Sequence, residues 1–306
     1  MKKIFTLAAL AAIVASCSQN DDIIPKDDLK DTPITVTAGV AELTTRAGYE
    51  TPEEGEAVLP ETFYLGIDQT GTSYDYSNVL MTKADNGSTY SSASPLLWAG
   101  GTDNVSVTAA TFSLVGAQAL EVQADQSKAD GVKNSDHLLM ATTEVTPSAN
   151  GISVNFSHLM AKVILTITLG DEFNKAENPI SNVTFKGTVA SNNYMVGTGW
   201  ATIAEDAATT DIIPLCNAYT ALTTDKPNAT AEYEVILVPQ TVAADSFTVT
   251  FNVGDRVFKW TSASAVTLEG GNKYSLALTA GKDIVSSATF SASAWSDNNN
   301  LSGETE

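Results

Sequence analysis

Positive charge is scarce in this chain. Of 306 residues only 16 are lysine or arginine, against 36 aspartate or glutamate, and the formal net charge is −20. Such a surface repels nucleic-acid phosphates and anionic membranes, which excludes binding to either through bulk electrostatics. Histidine is almost absent too. His137 and His158 each sit beside an apolar, strand-like run (HLLMATT and HLMAKVILT), and they read as packed or interfacial side chains. A hydrolase needs a nucleophile, a base and an orienting group that converge, and no such set can be assigned from these residues. There is no His/Cys cluster at metal-ligand spacing, and the acidic pairs Asp21-Asp22 and Asp27-Asp28 fall in a polar stretch near the start. The glycine runs WAGGTDN and VGTGWAT lack a following helix or lysine and read as turns rather than phosphate cradles. No enzyme, metal or cofactor is expected.

What is present points to strands. The chain is 43% hydrophobic, enough for a sizeable core. It is rich in Thr, Ser, Ala, Val and Asn and carries no convincing helical stripe, which favours strands and turns. An all-β extracytoplasmic protein is the expectation. The tryptophans at 98, 200, 260 and 295 adjoin β-like runs and read as core rather than as a carbohydrate platform. The alternative they leave is an uncleaved surface lipoprotein that binds glycans.

Residues 1–16 read as an export signal. Lys2 and Lys3 form a basic start, and Ile4 to Ala15 is an apolar run too short to span a bilayer comfortably. The run closes on Val14-Ala15-Ser16-Cys17, which resembles a bacterial lipobox, where the cysteine thiol receives the lipid. Cys17 is therefore the expected lipidation site and outer-membrane anchor. Cys216 is then unpaired, and its surroundings (IIPLCNAY) suggest an apolar filler. Residues 17–33 form a polar, acidic tether, whose start resembles the signal that sends Bacteroidales lipoproteins to the outer leaflet of the outer membrane.

From Ile34 onward, apolar and polar residues alternate with period two: Ile34, Val36, Ala38 and Val40 share one face of a predicted strand. Similar runs follow at 62–68, 104–112, 151–156 and 162–170, with GTSYDYSNV and KADNGSTYSSASP between them as loops. The second half repeats the style in ISNVTFKGTV, AEYEVILVP, NKYSLALT and SATFSASAW. One hairpin is specified to the pair. Gly254-Asp255 is its turn, which sets Phe251 opposite Phe258, Val249 opposite Trp260 and Arg256 opposite Val253. The polar stretch 171–179 suits a boundary between β-domains at 34–170 and 171–306. Two arginines occur, and while Arg256 is explained by its hairpin, Arg46 sits in the neutral run LTTRAGYE. From the residues alone it is either a plain surface arginine or a marked position. At the other end, Ala288, Phe290, Ala292 and Ala294 alternate with Ser and Thr. This run either completes its own domain or is a donor strand at 284–295.

Five segments together resemble the fimbrillin family, the Mfa-like pilins of Bacteroidales fimbriae. They are the early strand ending in TTRAG, LLWAGGTDNVSVTAATF, GISVNFSHLMAKVILTITL, the block from ILVPQTV to NKYSLALT, and the closing SATFSASAWSDNNN. The resemblance implies two tandem β-sandwich domains of transthyretin-like, Greek-key type and a place in a cell-surface fimbria. It implies cleavage by an arginine-specific protease between Arg46 and Ala47, with loss of the N-terminal strand carrying Ile34, Val36, Ala38 and Val40. The partners it implies are other fimbrial subunits, one of which inserts a strand into the vacated groove, and a host or bacterial surface ligand for adhesion.

Overall fold

The computed structural model describes residues 29–40, 59–85, 87–173, 176–224, 228–281 and 285–295, the backbone alone at 285–289. It is nearly all strand, as the composition requires. The first five strands are β1 (Val36–Val40), β2 (Thr62–Asp68), β3 (Tyr76–Lys83), β4 (Thr89–Ser91) and β5 (Val105–Ala110). Next come β6 (Gln118–Glu121), a one-turn helix α1 (Ala129–Lys133), β7 (Leu138–Val145), β8 (Ile152–His158) and β9 (Ala161–Leu169). The second half holds β10 (Ile180–Thr188), β11 (Ser191–Met195), β12 (Gly199–Trp200), β13 (Thr210–Ile212), β14 (Leu215–Thr220) and β15 (Thr230–Leu237). It closes with β16 (Gln240–Val242), β17 (Thr248–Val253), β18 (Arg256–Thr261), β19 (Val266–Leu268), β20 (Asn272–Ala280) and β21 (Val285–Ala294).

Seven strands close into a barrel in the order β1-β4-β3-β2-β5-β7-β8. This differs from the sandwich expected for the first half. The reason is β1: it pairs antiparallel with β4 and parallel with β8, so it joins two edges that would otherwise stay open. Strands β3 and β4 fall on segments whose Ser, Asp and Asn content reads as loop. On β3 only Met81 is fully buried, so a polar surface face hides the apolar alternation. The barrel core is Val36, Phe63, Leu65, Ile67, Trp98, Val107, Val154 and Phe156 with their neighbours.

The second half holds a five-stranded sheet, β14-β15-β9-β20-β21, and a four-stranded sheet, β13-β10-β17-β18, which share one large apolar cluster. The ladders draw β9 into this half, although the sequence places it before the boundary at 170/171. It is the middle strand, parallel to β20 and antiparallel to β15. Being covered on both sides, it has a near-continuous apolar sequence, as a central strand requires. The hairpin β17–β18 has the expected register: Phe251 faces Phe258, Val249 faces Trp260 and Val253 faces Arg256. Gly254 adopts φ 58° at the turn.

Val36 is 1% exposed and lies between Tyr90 and Ile152. Val36→Asp would bury a carboxylate with no cation on the barrel's inner face. It should lower unfolding stability by about 3–5 kcal/mol, read in urea melts.

Candidate functional site

The site assembles around β1. On its inner face Ile34, Val36 and Ala38 are buried and Val40 is half-buried against the same cluster. Along β8 the register is continuous, from Val36 opposite Ile152 to Val40 opposite Phe156. The approach is fastened as well. Asp31 N–H donates to Trp98 O at 2.9 Å, Ile34 N–H to Leu96 O at 2.8 Å, and Ile152 N–H to Thr35 O at 2.8 Å. Gly151 permits the last of these contacts. It adopts φ 79°, and a Cβ there would lie 1.9 Å from Thr35 O, so no residue with a side chain lets the strand settle this close. Leu29 is buried too, so residues 29–33, read from sequence as tether, are docked on the barrel. The apolar Leu29 and the backbone groups of Leu96 and Trp98 account for it.

Behind β1 stands a group of rings. Phe63 lies 4.7 Å from Tyr90 and 5.2 Å from Phe156, centroid to centroid. Tyr90 Oη donates to Pro60 O at 2.6 Å. Burial, with a smaller contribution from Glu61, pushes its hydroxyl up to about 12, so it stays a donor and holds the ring in place. The slot beneath β1 is therefore shaped by fixed aromatic and branched side chains.

The last described residues reach the barrel through Trp295. β21 forms the edge of its sheet, antiparallel to β20. Leu276 faces Phe290 and Leu278 faces Ser287, so residues 288 and 289 together oppose Ala277. That shift interrupts the uniform alternation read from sequence. Phe290 is half-buried and stacks on Tyr274 at 5.5 Å, whereas Ala292 and Ala294 are exposed. Ala288 lies on the strand beside the shift.

Trp295, just past β21, stacks on His158 of β8 at 3.9 Å with planes 7° apart. The Nδ1 of His158 lies 2.8 Å from the Asp136 carboxylate, both side chains being buried. On the other side Lys162 Nζ is 5.7 Å from the Trp295 ring centroid and 3.1 Å from Glu234 Oε2. This last pair is buried to within 1% of full cover, and Glu234 Oε1 has no hydrogen-bond partner among the described residues. Asn217 Nδ2 donates to Glu234 Oε2 at 3.0 Å.

The sequence-predicted residues divide accordingly. Ile34, Val36, Ala38 and Val40 share one slot, and Phe290, Ala292 and Ala294 lie on the β21 edge. Cys17, Arg46 and Ala47 lie outside the described residues. Trp98 is fully buried, its Nε1 donating to Ser148 O at 3.2 Å, so no glycan can stack on it. Trp200 packs against Tyr194 at 5.1 Å. The Trp295–His158 stack and the Lys162–Glu234 pair escaped sequence reasoning. The one signal for the latter was a lysine within the otherwise apolar run of β9.

The model of the fimbrillin-like family matches residues 45–295 of the chain. Among solved structures, a Bacteroides ovatus protein assigned a role in cell adhesion aligns with TM-score 0.63 and 16% identity, covering 87% of this chain and 98% of that one. A Bacteroides uniformis protein assigned the same role aligns with TM-score 0.57 and 19% identity, covering 88% and 100%. Both likenesses are of fold. A search of curated proteins finds no match.

The buried pair can be tested by itself. Lys162→Met leaves Glu234 charged and without its cation, and urea unfolding should show a loss of about 3–5 kcal/mol. Lys162→Met combined with Glu234→Leu should recover most of that loss, because no charge remains inside.

Proposed function

We propose, from the premise that this chain belongs to the fimbrillin-like family, that it is a structural, non-enzymatic subunit of a cell-surface fimbria and that β1 is its detachable closing strand. One observation carries the reading. β1 is buried on its inner face and hydrogen-bonded on both sides, yet it is followed six residues after Val40 by Arg46 in a neutral stretch. A cut between Arg46 and Ala47 by an arginine-specific protease would leave the strand held by non-covalent contacts alone. Arg256, the second arginine, is paired within the β17–β18 ladder and is a poorer substrate for that reason.

The energetics suit an exchange and do not suit an empty slot. Burial of Ile34 and Val36 contributes about 1.5–3 kcal/mol each, and Ala38 contributes less. Departure of β1 would bare apolar surface and leave the backbone groups of β4 and β8 unpaired along two edges. A strand supplied by a neighbouring subunit restores both the ladder and the alternating side chains. Such a contact is head to tail, does not close on itself, and so builds a filament. Cys17 as lipid anchor would hold the precursor at the outer membrane until the cut. The cell-adhesion role assigned to the structural neighbours supports an adhesive fibre with a ligand on a host or bacterial surface.

Treating the purified precursor with an arginine-specific protease in the presence of an excess of a synthetic peptide spanning residues 33–41 should release a fragment ending at Arg46 and yield a chain that carries the peptide in its place, read by native mass spectrometry. Arg46→Ala should fold with an unchanged melting temperature and give neither. A cleaved wild-type chain that takes up no added strand, or an Arg46→Ala chain that takes one up at the same rate, would refute the reading.

A further inference from the structure

The slot vacated by β1 has a size pattern, and the chain's own C-terminal strand does not match it. We propose that the slot takes a strand from a subunit of different sequence and rejects the C-terminal strand of a second copy. The favoured strand carries branched aliphatic side chains at the places of Ile34, Val36 and Val40, and a methyl-sized one at Ala38. This rests on the strand-replacement reading above.

Three features fix the pattern. Ile34, Val36 and Ala38 are 9%, 1% and 6% exposed and pack in one cluster with Phe63, Tyr90 and Phe156. Opposite Val36, Ala38 and Val40 on β8 stand Ile152, Val154 and Phe156, which are 1%, 0% and 0% exposed. The ring group of Phe63, Tyr90 and Phe156 closes the interior behind them. Protein interiors are packed to crystal density, so both a gap and an excess methylene are felt.

Read as a regular strand, without the shift it carries beside β20, the C-terminal run would offer Ala288, Phe290, Ala292 and Ala294 on one face and Val285, Ser287, Thr289, Ser291 and Ser293 on the other. Entered in the direction of β1 and in simple register, it puts Phe290 where Val36 sits and leaves Ala in place of Ile34 and of Val40. Moved forward by two, Phe290 replaces Ile34, Ala replaces Val36, and Ser296 replaces Val40. Moved back by two, or entered in reverse, Phe290 falls on Ala38. The second face would bury hydroxyls against an apolar wall. Every arrangement combines a void with either overpacking or a stranded polar group, and selectivity arises as much from such misfits as from good contacts.

The test uses the full chain after cleavage at Arg46, offered three synthetic peptides and scored by native mass spectrometry and competition. The first spans residues 33–41, the second residues 285–295, and the third is the second with A288I, F290V and A294V, which rebuilds the Ile-Val-Ala-Val order. The second should bind at least roughly 30-fold more weakly than the first, and the third should regain most of the loss. Binding of the second within about threefold of the first would overturn the proposal and make a second copy the occupant. Failure of the third to improve on the second would overturn the size rule. A cleaved chain that keeps residues 29–46 bound against excess first peptide defeats the strand-replacement reading itself and this proposal with it, an outcome visible before any peptides are compared.

Discussion

The barrel depends on a single short strand, β1, paired with β8 on one side and β4 on the other. Without it the remaining six strands form a curved open sheet with two bare edges. The pairing with β8 is parallel, and parallel neighbours need a long crossover between them. Here the crossover is most of the barrel itself, since more than a hundred residues separate Val36 from Ile152. The strand is thus added from outside the local sequence order of its neighbours. A segment so placed is stitched in by tertiary contacts rather than by a hairpin of its own, which is what the proposed exchange of β1 requires.

Some of this arrangement was legible in the sequence. The period-two alternation of Ile34, Val36, Ala38 and Val40 specified a strand with one buried face, and the Gly254-Asp255 turn fixed a hairpin to the residue pair. What stayed hidden has physical reasons. β3 and β4 present Ser77, Thr82, Thr89 and Ser91 to solvent, so composition spoke for loops where tertiary pairing made strands. The membership of β9 is a matter of parallel pairing across a hundred residues to β20, and periodicity carries no information about which edge a strand will join. The closure into a barrel was invisible for the same reason. Of the slot, the inward residues were readable, but the ring group of Phe63, Tyr90 and Phe156 behind them was not, because β2, β4 and β8 are not neighbours in the barrel and their rings come together only inside it once it has closed.

The two halves meet through a small apolar cluster of Ala110, Phe112, Leu120 and Tyr194 and also through polar side chains. Asp136, His158, Trp295, Lys162 and Glu234 form a chain of contacts that runs from the loop after α1 through β8 to the middle of the five-stranded sheet. Buried charge is costly to assemble and intolerant of misplacement, so such a chain fixes a relative position more sharply than interchangeable aliphatic contacts do. It also binds the last described residues of the chain to the strand that holds β1. The seat of the N-terminal segment and the seat of the C-terminal one are therefore neighbours along a single strand, at Val36–Val40 against Ile152–Phe156 and at Trp295 against His158.

The geometry around β1 also bears on load. A strand hydrogen-bonded along both flanks and pulled lengthwise is sheared, so its bonds are strained together, whereas a strand peeled from one end gives them up one after another. Any segment that takes the place of β1 inherits the first arrangement. Tension along a fibre joined in this way is borne by whole rungs of backbone at once, and a joint of only a few residues can be tough in the one direction in which it is tugged while remaining open to slow exchange at rest.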